Sequence, residues 1–222
     1  EQAAEQLRAE GYEVSVTGVA AYSTLGWFAD PLLNTFIGGN EGQLAALIFH
    51  ELAHQVVFVG GDTTFNESFA TAVEREGVKR WLAENGDAVS RNAYAEFARR
   101  RGEFLNLLLQ YRGLLYENYV GRESDDVKRR RKQQLFAELK DDYARLRASW
   151  DGFAGYDRFF VQDLNNAHLA SIGAYNDLVP AFDALLAQVS GDFPRFYEEV
   201  KQLAALPRER RDASLRGMLA QR

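Results

Sequence analysis

The chain contains no cysteine. Disulfides, thiolate nucleophiles and cysteine-based zinc sites are thereby excluded, so any metal has to rest on His, Asp or Glu. The lack of disulfides leaves the compartment open, because periplasmic and cytoplasmic proteins alike can do without them. Histidine is scarce as well, with three in 222 residues. No apolar run reaches the roughly 18 residues of a membrane span. The opening Glu1-Gln2-Ala3-Ala4-Glu5-Gln6-Leu7 is charged where a signal peptide is apolar. It has neither a Met nor a cap before its helical pattern, and reads as the cut end of a longer precursor. Positive charge is in deficit, with 26 basic against 32 acidic side chains, a net charge of -6 and a pI near 5.2. No global positive field holds nucleic acid or anionic lipid, and no nucleic-acid partner is expected.

What is present fits a folded globular chain, 46% hydrophobic and 26% charged. Ala3, Leu7 and Tyr12 suit a short amphipathic helix ended by Gly11, and the alternation of Val14, Val16 and Val19 predicts a strand over 13–19. Residues 22–39, with Gly26, Trp27, Phe28 and Pro31, read as an ordered loop in which Trp27 and Phe28 serve the core. Leu44, Leu47, Ile48, Phe49 and Leu52 predict a buried helix from Glu41 to about Val59, stopped by Gly60-Gly61. A second helix follows to Gly86, with Thr64 as its expected N-cap. Residues 88–120 and 123–149 form two long helical patterns joined at Gly121, an antiparallel hairpin. Its run Lys128-Arg129-Arg130-Arg131-Lys132 follows Glu123, Asp125 and Asp126 and reads as a solvated face. Further helices are expected at 157–175, 179–189, 192–205 and 207–220, with Pro180, Pro194 and Pro207 near the starts of the last three.

One motif carries chemistry. His50-Glu51-Leu52-Ala53-His54 sets two imidazoles one helical turn apart on one face, the spacing that lets both reach a single ion, with Glu51 beside them. A catalytic zinc needs a third protein ligand and an open position. His168 is one candidate. Glu67, after twelve intervening residues, and Glu74, after nineteen, stand on nearly one face of the next helix. Glu67 could instead complete a capping box with Thr64, and Glu74 could be a ligand, an outer partner of a ligand, or a solvated charge.

His50-Glu51-Leu52-Ala53-His54-Gln55 followed by Asn66-Glu67-Ser68-Phe69-Ala70 resembles the gluzincin metallopeptidases, whose aminopeptidases carry a His-Glu-x-x-His helix and then an Asn-Glu-x-Phe-Ala helix. Residues 21–31, Gly61-Asp62-Thr63-Thr64-Phe65-Asn66-Glu67, and Asn165-Asn166-Ala167 with Tyr175 to Pro180 extend the likeness to the bacterial putative zinc aminopeptidase family. The resemblance implies one zinc ion per chain on His50, His54 and Glu67, with Glu51 as the catalytic carboxylate and a peptide as substrate. It also implies a periplasmic enzyme or a membrane-anchored lipoprotein, tethered through a segment that precedes this one. Two departures stand out. The larger gluzincin aminopeptidases leave a longer interval between the second His and the ligand Glu, one that Glu74 matches more closely. Their Gly-Ala-Met-Glu-Asn segment, which holds a substrate amine, is absent from this sequence.

The expected fold is mainly α (α+β): a zincin-like core with a small sheet over 1–86, the helical hairpin over 87–150, and C-terminal helices over 151–222 that complete the same catalytic domain. The expected chemistry is hydrolysis by a metal-activated water, Glu51 accepting its proton and a phenol or imidazole donating to the oxyanion. Tyr175 is the residue preferred for that donation, with Tyr22 and His168 as alternatives, while Asn165 and Asn166 line a cleft or cap a helix. The edge of strand 13–19 could align an extended peptide. The competing function is a non-catalytic scaffold in which the hairpin is the working part and the metal braces the fold.

Overall fold

A computed structural model describes residues 2–16 and 40–219. Among these residues there are ten helices and no strand. The expected α+β architecture, a zincin-like core with a small sheet, is therefore corrected to an all-α fold. Residues 13–16, the described part of the expected strand, pair with no second strand. Val14 instead offers its carbonyl to the side chain of Asn165 (3.3 Å), and Asn166 donates its backbone N–H to Glu13 (2.9 Å). Alternating valines specify extended backbone, but a strand exists only where a neighbouring backbone completes a ladder. Residues 17–19, the loop 22–39 with Tyr22, Trp27 and Phe28, and the block 21–31 lie outside the described residues.

The chain forms two compact units, each assembled from two separated stretches. The unit made of Glu1–Thr17 and Ala95–Gly173 holds α1 (Gln2–Ala9), most of α4 (Ala88–Val120), α5 (Asp125–Ala148), α6 (Asp157–Val161) and most of α7 (Asn166–Asn176). Phe104, Leu108, Tyr111 and Leu115 recur at helical spacing along α4 and pack with Leu135, Phe136, Leu139 and Tyr143 of α5. Trp150 closes this core and donates its indole N–H to Glu103 (2.7 Å). The helix expected over 157–175 is divided by residues 162–165. Asn165 restarts it, its Oδ1 accepting from the Ala167 N–H (3.0 Å), which is the capping role weighed for it from the sequence.

The other unit, Gly18–Tyr94 with Ala174–Arg222, holds α2 (Glu41–Val56), α3 (Thr63–Asn85), α8 (Val179–Gln188), α9 (Phe193–Ala204) and α10 (Arg208–Leu219). Asn40 caps α2 through a reciprocal box with Gln43. Asp62, not Thr64, caps α3, accepting from the Phe65 N–H (3.1 Å). The cap thus sits two residues before the expected position, and the capping box that would have engaged Glu67 is not formed. Phe65, Phe69 and Val73 of α3 pack with Phe182 and Leu185 of α8, Phe196 and Val200 of α9 and Leu215 of α10. α2 lies close against α3: a side chain at Gly77 would meet the Phe49 ring at 3.0 Å. No helix among the described residues is long and apolar enough to cross a membrane.

Candidate metal centre

The packing of α2 on α3 turns His50 and His54 toward Glu67. Their rings lie 5.0 Å apart, edge to face. Nε2 of His50 is 3.2 Å from Glu67 Oε2, and Nε2 of His54 is 3.8 Å from the same oxygen. Behind His50, its Nδ1 lies 3.1 Å from Glu74 Oε2. Glu74 is thus on the far nitrogen of the first imidazole, and Glu67 is where the two imidazoles converge. The seven-residue interval that left these carboxylates on one helix face is the reason both reach the same ring, from different sides.

The electrostatics follow from that arrangement. Burial opposes a charge on His50, but the hydrogen bonds its ring donates to the Glu67 and Glu74 carboxylates outweigh it and hold the imidazole up to about 9. His54 is pushed below its ordinary value by burial and by the neighbouring His50, against the pull of Glu67. Its Nδ1 is buried without a hydrogen-bond partner. A single half-buried carboxylate oxygen faced by two imidazole nitrogens is a cation-seeking set, because charges on both rings at that separation oppose each other.

Among the described residues, His50, His54 and Glu67 offer ligand atoms within 4.8 Å of one another, so this cluster could hold a metal ion. Two imidazoles and one carboxylate suit zinc in hydrolytic sites, where three protein ligands leave a position for water. The donor chemistry and the three-ligand count fit that group.

Glu51 follows His50 on α2 and is half-buried. Tyr175, near the end of α7, is 45% exposed. Its phenol is raised above its ordinary value by burial and then by the charges of Glu67 and Glu51, which puts it within electrostatic reach of both. The turn after Tyr175 is fastened to α3 where the Leu178 N–H donates to Ser68 Oγ (3.3 Å). His168 belongs to the other unit, where its Nδ1 lies against Asn165 Oδ1 (2.9 Å) and its ring packs edge to face on Phe159. Asn166 is likewise engaged there, donating to the Tyr119 hydroxyl (2.8 Å).

Sequence reasoning missed the supports of the site. Ser68 gave no signal beyond being small on a buried helix. The pair Asp62–Arg211, with both side chains 4% exposed, joins positions 149 residues apart, which no local pattern announces. The Asp before the helix was the visible half of that pair.

An all-α protein with a His, His, Glu cluster on two adjacent helices is the class that the fold and site define. A family model described as "Putative aminopeptidase" matches residues 1–215, and the chain belongs to that family. No curated protein and no solved structure matches it.

Proposed function

We propose that the chain is a zinc-dependent metallopeptidase acting as an aminopeptidase, with His50, His54 and Glu67 as the residues that would hold the metal. The observation that carries this reading is the convergence of both Nε2 atoms on one oxygen of Glu67, within a family described as aminopeptidases. Action at the amino end of a peptide, as opposed to an internal bond, rests on the family alone. Bound there, zinc supplies a Lewis acid that acidifies a water and polarises the scissile carbonyl.

The remaining work falls to the protein's own side chains. Glu74 accepts from Nδ1–H of His50, which fixes the tautomer and presents Nε2 toward Glu67. Glu51 accepts the proton of the attacking water and delivers it to the leaving amine, so that the amine departs neutral. Tyr175 keeps its proton at neutral pH, because burial and the nearby Glu67 and Glu51 disfavour the phenolate. Its hydroxyl donates to the carbonyl oxygen as negative charge develops there.

The test is Glu51→Gln. The variant is expected to retain zinc at wild-type stoichiometry while hydrolysis of an aminoacyl-anilide or peptide series falls by about 100-fold or more. Wild-type protein that folds with zinc and hydrolyses nothing in the series would sink the enzyme reading and favour a metal-braced scaffold.

A further inference from the structure

The stretch from His54 to Glu67 contains twelve residues, and only residues 57–62 of it lie outside the two helices. A connector this short sets where α3 begins relative to α2, and therefore where Glu67 stands relative to the imidazoles. Three features hold it. Val57 leaves α2 in extended conformation with its side chain buried. Gly61, at a φ of 77°, makes the reversal that a side chain would strain. Asn66, 2% exposed, grips the middle: its Oδ1 accepts from the Val59 N–H and its Nδ2 donates to the Val59 carbonyl, both at 2.8 Å. The same carbonyl accepts from the Asp62 N–H (3.2 Å), which occupies both of its lone pairs. Asp62 is anchored in turn by Arg211, which also donates to the Leu206 carbonyl (3.0 Å).

We infer that Asn66 is a positioning residue of the metal centre: its two-way amide bridge to Val59 sets the connector at the length that places Glu67 against Nε2 of His50 and His54. The inference rests on reading those three residues as metal ligands. A primary amide of this reach is the side chain that offers a donor and an acceptor together; an ionised Asp has no donor, and Gln is one methylene longer. Without the bridge, the connector samples more conformations, and binding a cation then has to order Glu67 as well as engage it. The loss appears in metal affinity before it appears in any catalytic constant.

The experiment measures zinc affinity by chelator competition, and the visible spectrum of the cobalt(II) form, on the full chain and on Asn66→Ala, Asn66→Gln and Val200→Ala. Val200 is fully buried in the same unit and offers no ligand atom, so its truncation lowers stability while leaving the three ligands and the Asn66 bridge in place. Asn66→Ala and Asn66→Gln are expected to bind zinc about 10–100-fold more weakly, with altered cobalt bands. Val200→Ala is expected to bind within about twofold of wild type. Asn66→Gln keeps the buried amide, so it decides the matter if Asn66→Ala fails to fold. Wild-type affinity in Asn66→Gln, or an equal loss in Val200→Ala, overturns the inference. Wild-type protein that binds no metal overturns both this inference and the proposed function. Metal binding that depends on Asn66 in a chain that cleaves no peptide upholds the inference and removes only the peptidase reading.

Discussion

In the unit formed by Glu1–Thr17 and Ala95–Gly173, the polar groups at the core's margin are phenols, an indole and the imidazole of His168. The unit formed by Gly18–Tyr94 and Ala174–Arg222 buries the imidazole of His54, two carboxylates and a guanidinium. Tyr111 donates to Asp142 (2.5 Å), Tyr143 to Asp157 (2.6 Å) and Trp150 to Glu103, each keeping an apolar ring inside and a polar atom at the rim. In the second unit, His54, Glu74, Asp62 and Arg211 are all buried. Burying ionisable groups costs stability unless each is paired, and such pairs seldom improve on apolar packing. Aromatic margins of the first kind serve cohesion. Buried acids and bases of the second kind mark the unit that carries the His50, His54 and Glu67 cluster.

The contrast can be broken most forcefully at His54. His54→Ala removes a ligand atom outright, and zinc affinity should fall by more than the roughly 10–100-fold that loss of an outer partner costs. The unfolding transition of the metal-free protein should barely move, and competition with a chromophoric chelator reads the affinity. Next comes Leu139→Ala in the helical hairpin. Leu139 is fully buried, so truncation should cost about 2–5 kcal/mol in urea unfolding. Zinc affinity measured well below the transition should stay at the wild-type value; a large drop there would erase the division of labour between the units.

Glu74→Ala sharpens the comparison within the second unit. It removes the acceptor on His50 Nδ1 but no ligand, and zinc affinity should fall about 10–100-fold, less than for His54→Ala. An effect as large as that of His54→Ala would make Glu74 a ligand and displace Glu67. The smallest effect is expected for Tyr143→Phe, which deletes one hydroxyl facing Asp157. Denaturant titration should register a loss of about 0.5–1.5 kcal/mol, and metal binding should be unchanged.

Much of the helical layout was legible beforehand. Apolar spacing and breakers such as Gly86 and Gly121 place the second long helix and the hairpin within a few residues of their observed ends. The strand over 13–19 misled, because alternation reports a preference for extended backbone and not the presence of a partner. The split at residues 162–165 was hidden, since the apolar pattern on either side of Asn165 continues in phase. The Thr64 cap was placed too late, because Asp62 and Thr64 are both acceptable caps and only the path of the connector chooses between them.

At the candidate metal centre the amino-acid order by itself fixed which imidazoles share a face, because about four residues make one turn of an α-helix. It also restricted the carboxylate candidates to Glu67 and Glu74, spaced to lie one above the other. Which of them stands between the two Nε2 atoms was decided by the packing of α2 on α3. Asn66, Asp62 and Arg211 gained their roles in the same way, since a buried hydrogen bond joins groups by proximity in space and carries no trace in local periodicity.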